Sequence, residues 1–117
     1  MVLADNISKK ELQSLYRDRE IIGGVFAIKN TMNDKLFIEA TTDLRGIKNR
    51  FEFSQKTGSC THMKLQSDWG KYGGDIFVFE VLEELAKNSM QTNDEFKADV
   101  NYLKAMWLEK LSGRDLY

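Results

Sequence analysis

The only cysteine of the chain, Cys60, and its only histidine, His62, stand two residues apart. That is close enough for a thiol nucleophile and its base, because a thiolate becomes reactive when a proton acceptor lies within reach. Nothing else in the sequence supports a thiol enzyme. Glu39 and Glu80 form a second candidate pair: their carboxylates would hold a divalent cation if their strands were neighbours and the two shared a face. The third candidate is a set of cations, Arg45, Lys48, Arg50, Lys56, Lys64 and Lys71, against which residues 43 to 72 place only Asp43, Glu52 and Asp68. Exposed cations clustered in this way are what a phosphate backbone recruits. Residues 75 to 100 have the opposite balance, seven acidic side chains against two basic, so the formal net charge of -1 conceals a divided chain. Phe26, Phe37, Phe51, Phe53, Trp69 and Tyr72 lie near the cations and are either stacking surfaces for unpaired bases or core, with core favoured for at least four.

The elements that must position these groups follow from periodicity. Ser8-Lys9-Lys10-Glu11 has the form of a capping box, and Leu12, Leu15 and Tyr16 then fall at helical spacing, so a helix is predicted over about residues 8 to 20, stopped by Gly23-Gly24. Val25 to Asn30 and Lys35 to Ala40 read as a hairpin around Thr31-Met32-Asn33-Asp34. Thr42 is the candidate cap of a second helix, with Leu44, Ile47 and Phe51 on one face and Gly46 weakening it. Leu65, Trp69 and Tyr72 mark a third helix, ended by Gly73-Gly74. Ile76 to Leu82 is apolar at nearly every position and reads as a third, central strand covered on both faces. Thr92 to Glu95 is another capping box, opening a long helix through Phe96, Val100, Leu103, Trp107 and Leu111 and closing at Gly113.

The order α-β-β-α-α-β-α, a hairpin followed by helices and one further strand, predicts an α+β sandwich. At 117 residues the chain has room for one core. Residues 1–22 are read as a helical extension and 23–117 as a single compact domain. One cysteine excludes an internal disulfide, and one Cys with one His cannot make a four-ligand zinc site, so no metal and no cofactor is expected. No apolar run approaches the roughly 20 residues of a membrane span and no secretory signal opens the chain, which points to the cytoplasm.

Gly24-Val25-Phe26, Ala27-Ile28-Lys29-Asn30, Asn33 to Ile38, Lys64-Leu65-Gln66, Lys71-Tyr72-Gly73, Phe77 and Val81 to Glu84 together, over about residues 23 to 110, resemble the framework of the GIY-YIG nuclease family. The resemblance implies a small three-stranded antiparallel sheet flanked by helices, with an added N-terminal helix and a long C-terminal helix, and a phosphodiesterase using one divalent metal. In that chemistry two tyrosines handle the attacking water, an arginine and a histidine or tyrosine meet the phosphate, and a glutamate holds the metal. Here the tyrosine positions are Phe26 and Phe37, the glycine closing the second motif is Glu39, the arginine is Ile47, the histidine is Phe51 and the glutamate is Lys104. Phenylalanine has no hydroxyl to move a proton, and an ammonium has no lone pair for a metal.

The resemblance therefore implies a GIY-YIG-like module that has lost endonuclease activity and binds DNA or RNA through Arg45, Lys48, Arg50, Lys56, Lys64 and Lys71. An alternative is a protein-interaction or regulatory module using the apolar former cleft, with a protein partner or a second copy of the chain. A third is residual metal-dependent cleavage through Glu39 and Glu80. Arg50, one residue before the histidine position, is a candidate to turn toward the old phosphate site.

Overall fold

Ile22–Asn30 (β1) is small or apolar at every position except Lys29 and Asn30, so it can be covered on both faces. It is followed by Leu36–Thr41 (β2), Leu44–Thr57 (α1), a 3-10 turn at Met63–Leu65, Gln66–Tyr72 (α2), a 3-10 turn at Gly74–Ile76, Phe77–Ala86 (β3) and Asn93–Lys110 (α3). A computed structural model describes residues 21–60 and 62–117. The helix expected over residues 8 to 20 lies outside the described residues.

The strands form one antiparallel sheet in the order β2-β1-β3. The expected α+β architecture is present, but the central strand is β1. β3 is an edge strand, and Val78 and Val81 on it are 44% and 42% exposed. Its apolar run resembles a doubly covered strand because the core uses it on alternate sides of a bulge. Phe77 and Phe79 pack toward α1 and α2, whereas Leu82, falling between the partners of Val25 and Phe26, packs on the opposite face with α3.

Gly23 and Gly24, expected to stop a helix, lie inside β1. A side chain on Gly23 would run into the Thr41 carbonyl and the Phe96 ring, and Gly24 adopts φ +150 with the Glu83 carbonyl against it. Their absent side chains let β2, β3 and α3 close on the central strand.

Each face has its own core. Phe26, Ile28, Phe37, Leu44, Phe51, Leu65, Trp69 and Phe77 fill the side under α1 and α2. Val25, Ala27, Leu36 and Ile38 meet Leu103 and Trp107 of α3 and its C-cap Leu111 on the other. Each large apolar side chain fully buried in this way stabilises the fold by about 1.5–3 kcal/mol. The caps are local: Thr92 and Glu95 form the expected reciprocal box at α3. At α1 the cap is Asp43 in place of Thr42, its Oδ1 accepting from Gly46 N at 3.0 Å, and the missing Cβ of Gly46 leaves room for that carboxylate. Gly73, at φ +88, ends α2 as expected.

A polar tie joins distant parts of the chain. Buried Asn30 donates through Nδ2 to the Tyr117 hydroxyl at 2.9 Å and to Asp68 at 3.2 Å, and Tyr117 donates to Asp68 at 2.6 Å. Burial and the hydrogen bond to Asp68 push the Tyr117 hydroxyl up to about 12, so it stays a donor across the working pH range. Leu36 N and O bond the backbone of Asp115 and Tyr117, adding a parallel bridge outside β2. Asn30→Ala removes the centre of this tie and is expected to destabilise the fold by about 2 kcal/mol in urea unfolding.

Candidate functional site

The positions that the resemblance assigns to a catalytic cleft converge in space. Phe26 pairs with Glu39 and Ile28 with Phe37 across β1 and β2, so Phe26, Phe37 and Glu39 share the face covered by α1. Helix α1 adds Phe51, buried in the same cluster, and half-buried Ile47 against it. Lys104 arrives from α3, which covers the opposite face, and its Nζ lies 2.7 Å from Glu39 Oε1 at the edge of β2.

The space between these residues is filled by rings. Phe26 is 1% exposed and stacks on Phe79 with centroids 5.0 Å apart and planes 16° off parallel. Phe51 lies 5.7 Å from Phe79 and meets Trp69 edge-on at 6.2 Å. Trp69 in turn stacks on Phe77 at 5.1 Å, and its Nε1 donates to the Gly58 carbonyl at 3.1 Å. The space at these positions is thus a packed apolar core. Four of the six aromatics weighed as stacking surfaces, Phe26, Phe37, Phe51 and Trp69, are core; Tyr72 is half-buried and Phe53 is 65% exposed.

His62 closes the polar side of this core, a role its residue type alone does not signal. Its ring lies 5.1 Å from Phe37 and 6.4 Å from Phe26. Burial holds the imidazole below its usual range; the Glu39 charge opposes that shift and the Arg50 charge adds to it. For Glu39, burial pushes the carboxyl up. The Lys104 hydrogen bond, the Ala40 amide at 3.0 Å and the charges of Lys104 and Lys64 outweigh it and hold the group below its ordinary value.

Two sequence candidates are dissolved by this geometry. Cys60 Sγ donates to the backbone carbonyl of His62 at 3.1 Å while the imidazole faces the phenylalanines, so no thiol–imidazole pair forms. Glu39 and Glu80 sit on β2 and β3, the two edge strands separated by β1. Glu80 pairs with Ala27 and Glu39 with Phe26, adjacent residues of β1 that point to opposite faces, so the carboxylates cannot share an ion. Among the described residues no three His, Cys, Asp or Glu side chains gather as a metal site.

The six cations are all exposed but divide between places. Arg50 and Lys64 flank the closed cleft, acting on His62 and Glu39. Arg45 and Lys48 line a groove with Lys97, between the starts of α1 and α3, whose apolar wall includes Ile22, Val81 and Phe96. Lys56 lies in the last turn of α1, and Lys71 sits over the Tyr72 ring at 5.1 Å.

The depressed His62 has a definite sign. The unfolded chain takes up its proton first, near pH 6.5, so stability falls as pH drops from about 6.5 toward the folded value and is level above it. His62→Gln should flatten that part of the pH–stability curve in thermal unfolding. Phe26→Tyr would press a hydroxyl into the stacked rings and is expected to cost about 1–3 kcal/mol in denaturant unfolding.

No protein-family model matches the chain, and no curated protein matches it. Among solved structures, the catalytic domain of intron endonuclease I-TevI, determined as a point mutant, superposes with a TM-score of 0.56 and 24% identity, covering 78% of this chain and 84% of that one. A second structure, of the catalytic domain of homing endonuclease I-TevI, gives 0.55 and 24%, covering 76% of this chain and 87% of that one. The order β2-β1-β3 with its flanking helices is therefore the fold of a GIY-YIG nuclease domain.

Proposed function

We propose that this chain is a GIY-YIG-fold module, acting in the cytoplasm, that binds DNA or RNA without cutting it. The observation that carries the reading is the 2.7 Å pair between Lys104 and Glu39 beside the buried rings of Phe26 and Phe37. Hydrolysing a phosphodiester takes a proton acceptor at the attacking water and oxygen ligands for a metal. On the assignments that the resemblance implies, an ammonium takes the ligand position and benzene rings the proton-transfer positions, and Ile47 and Phe51 supply no cation for the phosphate. Binding has lesser needs. Exposed Arg50 and Lys64 beside the cleft, and Arg45 and Lys48 further along α1, supply charge for a phosphate backbone. The likeness to an endonuclease domain supports a nucleic acid as the partner.

The protein-interaction alternative offered the apolar cleft or the acidic C-terminal half as its docking surface, and the first of these is taken up by packing of Phe26, Phe37 and Phe51. Residual cleavage through Glu39 and Glu80 has lost its geometry.

Titration with a short duplex and a single strand over a range of salt tests the proposal. Affinity is expected to fall linearly on a log–log plot, Arg50→Ala and Lys64→Ala each reducing the slope by about one unit. No cleaved product should form with magnesium or manganese. Salt-independent binding, absence of binding at physiological salt, or metal-dependent cleavage that survives purification would each overturn the reading.

A further inference from the structure

Resting on that reading, we infer that Glu39 is a built-in competitor for phosphate, an internal carboxylate that occupies Lys104 and restrains nucleic-acid binding at the edge of the closed cleft. Glu39 Oε1 accepts from Lys104 Nζ at 2.7 Å and from the Ala40 amide at 3.0 Å, so one ammonium and one backbone donor converge on a single carboxylate oxygen. Two donors meeting at an anionic oxygen are also what a phosphate oxygen requires. Lys64 faces the same carboxylate, and Arg50 acts on His62, which itself feels Glu39. Two ammonium groups, Lys104 and Lys64, thus act on this carboxylate, with His62 beside it.

The pair can exchange because it lies at the surface. Its side chains are 30% and 38% exposed, and ion pairs this open are held weakly. A phosphate oxygen could replace the carboxylate on Lys104 without stranding a charge in the core. While Glu39 is present, an arriving phosphate must displace it and meets its negative charge. The depressed carboxyl keeps that charge in place through neutral and mildly acidic pH.

Glu39→Gln separates the charge from the shape, since the amide oxygen can still accept from Lys104 and Ala40. Binding of a short DNA duplex to the whole chain, measured by fluorescence anisotropy between about 50 and 200 mM salt, is expected to tighten roughly 3- to 10-fold. The log–log salt slope should steepen by about 0.9, the mark of one more neutralised phosphate. Adding Lys104→Gln in the same chain should abolish the gain, because the released cation is then absent. Glu80→Gln, on the opposite face of the sheet, controls for the general loss of one negative charge, and circular dichroism checks that each variant is folded. An unchanged affinity in Glu39→Gln, an equal gain in Glu80→Gln, or a gain that survives Lys104→Gln would overturn the inference while leaving the proposed binding function intact. Failure of both the native chain and Glu39→Gln to bind would overturn both. Binding by Glu39→Gln alone would overturn the proposed function of the native chain while supporting the restraint by Glu39.

Discussion

A strand that is hydrogen-bonded along both edges and covered on both faces leaves its groups almost no water, and β1 is in that position from Gly23 to Ile28. Every side chain buried along it must be matched by protein. At its middle stands Phe26, which requires apolar partners and receives Phe79, Phe37 and Phe51. A ring in that place keeps water out and leaves a hydroxyl no partner. Polar groups are consequently displaced to the rim, where Glu39, Lys104, His62, Arg50 and Lys64 gather. The same rule explains Asn30, the one polar side chain of β1 buried completely, which is tolerated because Tyr117, Asp68 and the Met32 amide engage its side chain.

The local signals in the sequence were those tied to short-range physics. Thr92 with Glu95, the spacing of Leu65, Trp69 and Tyr72, and the polar turn at Thr31 to Asp34 each specify an element through contacts within a few residues. Errors arose where tertiary packing decided. The run from Ile76 to Leu82 has the composition of a central strand, but its pairing partner and its bulge depend on β1, which lies some fifty residues away. Asp43 outcompetes Thr42 as a cap because Gly46 leaves room for its carboxylate, a steric fact invisible in propensity. The convergence of Phe26, Phe37, Glu39, Ile47, Phe51 and Lys104 was legible only through family resemblance, since no periodicity links β2 to α3. The tie among Asn30, Asp68 and Tyr117 spans up to 87 residues and had no local signal.

Charge is sorted along the same architecture. Arg50 and Lys64 stand beside the apolar core, the adjoining groove mixes Arg45, Lys48 and Lys97 with Asp43, Glu52, Glu84 and Asp94, and Glu80 and Glu83 lie on the edge strand β3. Acidic side chains along an unpaired edge discourage another strand from adding to it.

The central claim is that the groups left at this cleft hold an ammonium where hydrolysis would need a divalent ion. Paramagnetic manganese titrated into isotopically labelled protein reads that directly, through line broadening of nearby amide resonances. The account predicts that Phe26, Phe37, Glu39 and Lys104 keep their linewidths at submillimolar manganese. Selective broadening centred on Glu39 and Lys104, removed by a chelator, would contradict it.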